Sequence, residues 1–244
     1  MLSIGKLLTA EQRLSKALVA IMGSPKYTAL AGVLMIGEKT VNDIPTACTN
    51  GRDEMYGREF VEGLTDAELR GVVLHENYHK LYQHMSTWKH LWEIDPHSAN
   101  QAMDYVINIK IADDNTDGFA VIPKGGLLDA QYRDMDTAQV FNLIHQSDDG
   151  DDDGGMDEHD WKGAQDLSDE EKGALARDID EAIRQGALAA GKMGGTDSRD
   201  LEELLKPQVD WREVLREFIS TTCAGNDYST WARPNRRLMS QGVY

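Results

Sequence analysis

The chain has 244 residues, 41% of them hydrophobic, which supports one large or two small globular domains. Its 42 acidic and 25 basic residues give a net charge of −17, which repels phosphate backbones, so we expect no nucleic-acid partner. Because no apolar run approaches the roughly 20 residues that cross a bilayer, and Cys48 and Cys223 form no disulfide framework, we expect a cytoplasmic protein without a membrane partner.

The first fifty residues predict a helix followed by a small sheet. Apolar residues recur at helical spacing over residues 8–22, and Pro25 follows the end of that segment. Residues 27–36 are apolar and suited to a strand, and residues 41–49 predict a returning strand. We therefore expect two or three antiparallel strands in this part of the chain.

Two further helices are indicated by their start signals. Thr65 is a suitable N-cap, and Glu68 three residues later completes a capping box at the head of a helix that includes two histidines. His97 or Ser98 is expected to cap the next helix, which continues to about residue 111. These two helices carry most of the polar residues considered below.

The second half of the chain predicts helices around an acidic loop. Helical patterns occupy residues 136–145, 168–190 and 210–221. Residues 147–160 are rich in glycine and aspartate and almost free of apolar side chains. We therefore predict a core at 1–146, an acidic loop or linker at 147–165, and a helical part at 166–244 that packs on the core. The expected fold class is α+β, mainly helical, with a small antiparallel or mixed sheet against the histidine-bearing helix.

The segment His75-Glu76-Asn77-Tyr78-His79 predicts a metal site. On a helix its two histidines lie about 40° apart on one face, close enough to bind one ion, and this spacing suits zinc. Glu76 lies about 100° from His75, where it flanks the ion and can accept a proton from an attacking water. The pattern is typical of zinc peptidases. The alternative is an amphipathic helix whose histidines are simply hydrogen-bonded.

A catalytic zinc site needs a third protein ligand and an open position. On a continuing helix His84 would point about 180° away from His75, so we expect it to pack or to support the site from outside the ligand set. The next helix offers a polar stripe with one residue on each successive turn: Asn100, Asp104 and Asn108.

Asp104 is the only carboxylate of that stripe and is the expected third ligand. Asn100 and Asn108 are then expected beside it, as groups that orient a ligand or stabilise an oxyanion. Glu93 and Asp95 precede the helix and are the weaker alternatives for the third ligand. A solvated polar stripe without a ligand is the other interpretation.

The acidic tract offers a second metal site. The spacing of an EF-hand calcium loop is approximated by Asp149, Asp151, Asp153 and Asp160. A tract this dense in aspartate produces such matches readily, so a solvated linker is the interpretation we favour over calcium. His159 lies between apolar residues that would anchor the tract, and it would either stabilise an oxyanion in the cleft or remain at the surface.

Several spaced segments resemble the metallopeptidase domains of bacteria and phages that usually precede a von Willebrand A-like domain. In chain order the matching segments are TNG at 49–51, LHENYHKLYQH, ANQAMDYVIN, IPKGGLLD, MDEHDW, PQVDWREVLREFI and YSTWARPNRR. The resemblance covers nearly the whole chain. It implies a zincin-like fold with metal ligation by His75 and His79, and it supports Asp104 as the third ligand.

The sequence therefore predicts a zinc-dependent peptidase that acts on a peptide or protein substrate. His75, His79 and Asp104 would hold one zinc ion, and Glu76 would be the general base for the attack of water on a peptide bond. The alternative is a non-catalytic binding or regulatory module that works with a von Willebrand A-like domain or an ATPase. A structural zinc site would have four protein ligands and no need of a base, so the presence of Glu76 favours the enzyme.

Overall fold

A computed structural model describes residues 8–146 and 168–193. Within these ranges the chain is mainly helical, with one small mixed sheet, which confirms the predicted α+β class. The α-helices are α1 Ala10–Met22, α2 Ala31–Leu34, α3 Arg58–Gly63, α4 Asp66–Leu81, α5 His84–Thr87, α6 Lys89–Ile94, α7 Pro96–Asp114, α8 Thr137–Gln146 and α9 Asp169–Met193. The 3₁₀ helices are Pro25–Leu30 and Ala130–Tyr132.

The three strands form a sheet in the order β1-β3-β2. They are β1 Lys39–Asn42, β2 Ala47–Thr49 and β3 Glu54–Gly57. β1 runs parallel to β3, with Lys39 opposite Glu54, whereas β2 is antiparallel to β3, with Ala47 opposite Tyr56. The sheet contacts α4 through β2, as predicted for the sheet and the histidine-bearing helix.

Two strand predictions were wrong. Residues 27–36 form the 3₁₀ helix Pro25–Leu30 and the short helix α2, because a brief apolar run that is buried on several sides suits a helix as well as a strand. Residues 41–49 do not form one strand either, because Pro45 lies between β1 and β2 and a proline cannot donate to a strand ladder. The strand β3 was not predicted.

Helix α4 begins as the capping box predicts. The Thr65 hydroxyl accepts from the backbone of Glu68, and the Glu68 carboxylate accepts from the Thr65 N–H at 2.8 Å. For α7, the predicted cap at His97 or Ser98 was wrong. Asp95 is the N-cap, and its carboxylate accepts from the backbone N–H groups of both His97 and Ser98. The helix starts after Asp95 because a proline at the first helical position fixes its start.

Helix α9 packs against the 3₁₀ helix Pro25–Leu30 and against α2. The approach is close at two glycines: a Cβ on Gly32 would lie 2.9 Å from the Cβ of Ala182, and one on Gly186 would lie 2.0 Å from the carbonyl oxygen of Ala29. The helices predicted at 136–145 and 168–190 are confirmed as α8 and α9. The division of the chain at 147–165 stays a prediction, since this linker and the predicted helix at 210–221 lie outside the described residues.

No single helix in the described part of the chain is long and apolar enough to cross a membrane. Ala10–Met22 and Pro25–Leu34 meet the length and composition criteria only when they are taken together as a pair, and they are bent by 101°.

A buried charged cluster joins α4 to the sheet. Glu54 on β3 and Lys80 on α4 are both fully buried and form an ion pair. The Tyr56 hydroxyl donates to the second carboxylate oxygen, the Lys39 ammonium lies 3.3 Å from the first, and Lys80 also donates to the carbonyl of Ile36 at 2.9 Å. Burial lowers the pKa of Lys80, and the negative charge of Glu54 opposes this shift. The pair therefore holds α4 against β3 only while both partners are present.

We expect Lys80→Met to lower the free energy of unfolding by about 3 kcal/mol, because Glu54 would keep a buried charge with one ammonium fewer. Urea denaturation measures this change. Lys89→Met is the matched control, because Lys89 pairs with Glu93 on the exposed face of α6, and it should change stability by less than about 0.5 kcal/mol. Similar losses in the two variants would show that the buried pair does not fix α4.

Candidate metal centre

Three potential ligand atoms from two helices converge at one point. His75 and His79 project from α4, and Asp104 projects from α7. The two Nε2 atoms are 3.0 Å apart, and Asp104 Oδ1 lies 3.5 Å from that of His75 and 3.4 Å from that of His79. Bonds of about 2.0–2.1 Å in tetrahedral geometry place ligand atoms roughly 3.3 Å apart. The triangle therefore has the size that a single tetrahedral ion requires.

A hydrogen bond from α7 orients the first histidine. The amide nitrogen of Asn108 donates to the carbonyl of Leu127 at 2.9 Å, so its amide oxygen faces His75 Nδ1, also at 2.9 Å. An amide oxygen only accepts, which places the proton of a neutral His75 on Nδ1 and leaves Nε2 with its lone pair. Asn108 and Asp104 can both face α4 because they lie one helical turn apart on α7.

His84 contacts the second histidine, so the expectation that it points away from the site was wrong. Helix α4 ends at Leu81, and Gln83 adopts the left-handed conformation with φ 50° before α5 begins. This change of direction brings His84 Nδ1 to 3.1 Å from His79 Nδ1. One of these nitrogens must donate and the other accept. When His84 accepts, His79 presents an unprotonated Nε2 to the site, as His75 does.

The arrangement fits a divalent metal ion. The potential ligand atoms of His75, His79 and Asp104 lie within 4.8 Å of one another, and these side chains are almost inaccessible to solvent. Two imidazole lone pairs and a carboxylate repel one another at this distance, and solvent screens that repulsion little in a buried site. A cation between the three atoms would replace the repulsion with attraction.

Glu76 lies beside these ligands in a cleft of about 410 Å³. The cleft is lined on this side by His75, Glu76, Asp104 and Asn108. Glu76 is only 1% exposed, so the environment of its carboxylate is set by the protein and by whatever occupies the cleft. A carboxylate so placed can exchange a proton with a bound water or substrate without holding the ion itself.

The two weaker alternatives for the third ligand have other partners. Glu93 is exposed on α6, with its carboxylate 3.7 Å from the ammonium of Lys89. Asp95 caps α7 and lies 3.2 Å from His145 Nδ1. Neither carboxylate belongs to the metal-ligand cluster found among the described residues.

Of the remaining predicted site residues, only Asn100 lies in the described part of the chain. Asn100 is half-buried on α7, one turn before Asp104. His159 and the loop aspartates Asp149, Asp151, Asp153 and Asp160 lie outside the described residues, so the calcium loop stays a prediction. Sequence reasoning missed the Leu127 carbonyl that holds Asn108, and it missed Gly71, which lets the backbone of Val121 approach α4. An isolated glycine inside a helical pattern was the available signal for a close backbone approach at Gly71.

We expect Asn108→Ala to lower the affinity for a divalent metal ion about 10–100-fold, because His75 would lose the acceptor that fixes its tautomer and orientation. Metal titration of the purified variant measures this effect. Asn115→Ala is the matched control, since Asn115 is a buried amide at the end of the same helix and bonds instead to Tyr27 and to the carbonyl of Ile111. It should destabilise the fold while leaving metal affinity within about threefold of wild type. Equal losses of affinity would assign the effect to general destabilisation.

In a comparison with protein families, the chain matches a model described as "Putative metallopeptidase domain" over residues 9–185 and 158–244. These two segments together span nearly the whole chain. No curated protein and no solved structure matches the sequence. The chain with this His75, His79 and Asp104 centre therefore belongs to the putative metallopeptidase domain family.

Proposed function

We propose that the protein is a zinc-dependent peptidase in which His75, His79 and Asp104 hold the ion and Glu76 is the general base. The observation that supports this most strongly is the convergence of three ligand atoms within 4.8 Å beside a buried carboxylate in a cleft. Two imidazoles and one carboxylate are a donor set of catalytic zinc sites, which keep a fourth position open. When bound, zinc supplies a Lewis acid that acidifies water and polarises a carbonyl oxygen.

The proposed task of Glu76 is proton transfer. It follows His75 directly on α4, about 100° around the helix axis, so it flanks the ligand cluster while lining the cleft. From there its carboxylate would accept the proton of the attacking water and deliver it to the nitrogen of the departing amine. Burial strengthens such interactions, because few solvent dipoles compete with the protein groups.

The neighbouring residues have positioning tasks in this proposal. Asn108 holds His75 through Nδ1, and His84 holds His79 through Nδ1, so that both Nε2 atoms are directed at one point. These contacts fix the orientation of each ring before any ion binds. Preorganisation of this kind reduces the free energy that binding must spend on ordering the ligands.

We expect purified protein to bind about one zinc ion per chain, and His79→Ala and Asp104→Ala to lose it, because each removes one corner of a three-ligand site. Metal analysis after dialysis measures the content. Glu93→Ala removes the carboxylate on α6 that was considered as an alternative third ligand. This variant should keep its full zinc content. Full retention in Asp104→Ala, or loss in Glu93→Ala, would reassign the third ligand.

Glu76→Gln separates a peptidase from a binding module. The amide is nearly isosteric but accepts no proton, so the variant should keep its zinc and its stability, while peptide hydrolysis falls about 10²–10⁴-fold. A library of unstructured peptides read by mass spectrometry is a suitable assay, and equal turnover in wild type and variant would exclude Glu76 as the base.

No turnover by zinc-loaded wild-type protein, even with a von Willebrand A-like domain or an ATPase partner supplied, would instead support the non-catalytic regulatory module. The zinc content of the same sample would show that the centre was intact in that experiment.

A further inference from the structure

Most of the side chains that line the cleft, apart from the candidate ligands and their neighbours, are apolar. These side chains form an apolar wall and come from β2, α3, α4 and the segment that follows α7: Ala47, Phe60, Val72, Ile122, Pro123 and Leu127. Among the described residues, no lysine or arginine lines the cleft, and the carboxylates that line it are Glu76 and Asp104. A molecule bound here would therefore meet both apolar side chains and the candidate ligands.

The segment 119–127, which supplies Ile122, Pro123 and Leu127 to the apolar wall of the cleft, is held against α4 at its beginning. The Arg70 guanidinium donates to the Phe119 carbonyl at 2.7 Å, and the Val121 N–H donates to the Ala67 carbonyl at 3.1 Å. Gly71 permits this approach, because a Cβ at that position would lie 2.1 Å from the carbonyl oxygen of Val121.

The end of the same segment is held against α7. The Asn108 amide donates to the Leu127 carbonyl at 2.9 Å, and the same side chain orients His75. The segment 119–127 is therefore fixed at both ends, and the part of the wall that it supplies is preformed rather than assembled by a ligand. Pockets with preformed apolar walls and a few directed polar groups are typical sites for small groups and side chains.

Charge restricts what the cleft can accept. An acidic side chain would face the carboxylates of Glu76 and Asp104, and the described residues that line the cleft include no lysine or arginine to compensate it. Each CH₂ group buried against the apolar wall should instead raise affinity about fourfold.

We infer that this cleft is the specificity pocket of the proposed peptidase, and that it binds a branched aliphatic side chain of the substrate beside the bond that is cleaved. The inference rests on the proposed function, because the metal centre defines where the scissile bond lies. It assigns selection of the substrate to Phe60, Val72, Ile122 and Leu127, apart from the residues that hold the ion or move the proton.

Binding can be tested without turnover, using zinc-loaded protein and four hydroxamates that differ only in their side chain: isobutyl, methyl, carboxymethyl and aminobutyl. Calorimetry gives the four dissociation constants. The isobutyl probe should bind at least about tenfold more tightly than the methyl probe, because three more carbons are buried. It should also bind more tightly than both charged probes.

Ile122→Lys and Val121→Lys form a matched pair of variants, with the same added charge at adjacent positions. Ile122 lines the cleft, whereas Val121 is 43% exposed and does not line it. Ile122→Lys should reduce the preference for isobutyl over carboxymethyl at least about tenfold, since a cation would enter the apolar wall. Val121→Lys should leave that preference within about twofold of wild type.

Equal binding of the isobutyl and methyl probes, preferred binding of the aminobutyl probe, or no binding of any probe by fully zinc-loaded protein would each overturn the inference. Failure of the proposed function has a different signature. If zinc-loaded protein hydrolyses no peptide but ranks the four probes as expected, the proposed peptidase is contradicted. The cleft is then still a binding site for an aliphatic side chain. A protein that binds no zinc contradicts both, and metal analysis of the same sample identifies that case.

Discussion

Helix α4 is buried along most of its length although four of its central side chains can carry a charge near neutral pH: His75, Glu76, His79 and Lys80. A buried ionisable group is tolerated only when it is paired, hydrogen-bonded or bound to a metal. Lys80 meets this requirement through Glu54 on the sheet side, and the two histidines converge with Asp104 on the α7 side. The need to compensate these groups fixes the position of α4 relative to its neighbours, and the geometry of the cleft follows from that position.

The side chain of Asn108 connects the candidate ligand His75 to the apolar wall of the cleft. One end of its amide accepts from His75, and the other donates to the Leu127 carbonyl at the end of the apolar wall. A displacement of that wall would therefore be transmitted to the ring that holds the proposed ion. In the peptidase that we propose, this link would couple binding of a substrate side chain to orientation of His75, so we expect substitutions in the wall to alter metal affinity as well as specificity.

Local chemistry predicted much of the site from sequence alone. The capping box at Thr65 placed the start of α4, and the four-residue spacing of His75 and His79 placed both rings on one face. Asp104 was predicted as the third ligand because it is the only carboxylate in the polar stripe on α7. Its convergence with the histidines agrees with that choice, while its role as a ligand stays a prediction.

The structural features that the sequence did not predict depend on non-local contacts, or on backbone conformations that no residue type in the sequence indicates. The short apolar run at 27–36 suits either a helix or a strand, and its packing partner α9 lies far along the chain, so no local signal decided between them. The parallel pairing of β1 with β3 likewise has no local signal. Gln83 is left-handed without being a glycine or asparagine, the residues that usually mark this conformation, so the turn that brings His84 to His79 was not foreseen.

The central claim is that α4 and α7 form an open three-ligand zinc site. X-ray absorption spectroscopy at the zinc edge of the loaded protein tests it directly, because imidazole, oxygen and sulfur ligands give distinct spectra. The account predicts two imidazoles, with oxygen in every remaining position, consistent with one carboxylate and solvent. A third imidazole, a sulfur ligand or a closed site of four protein ligands would contradict it.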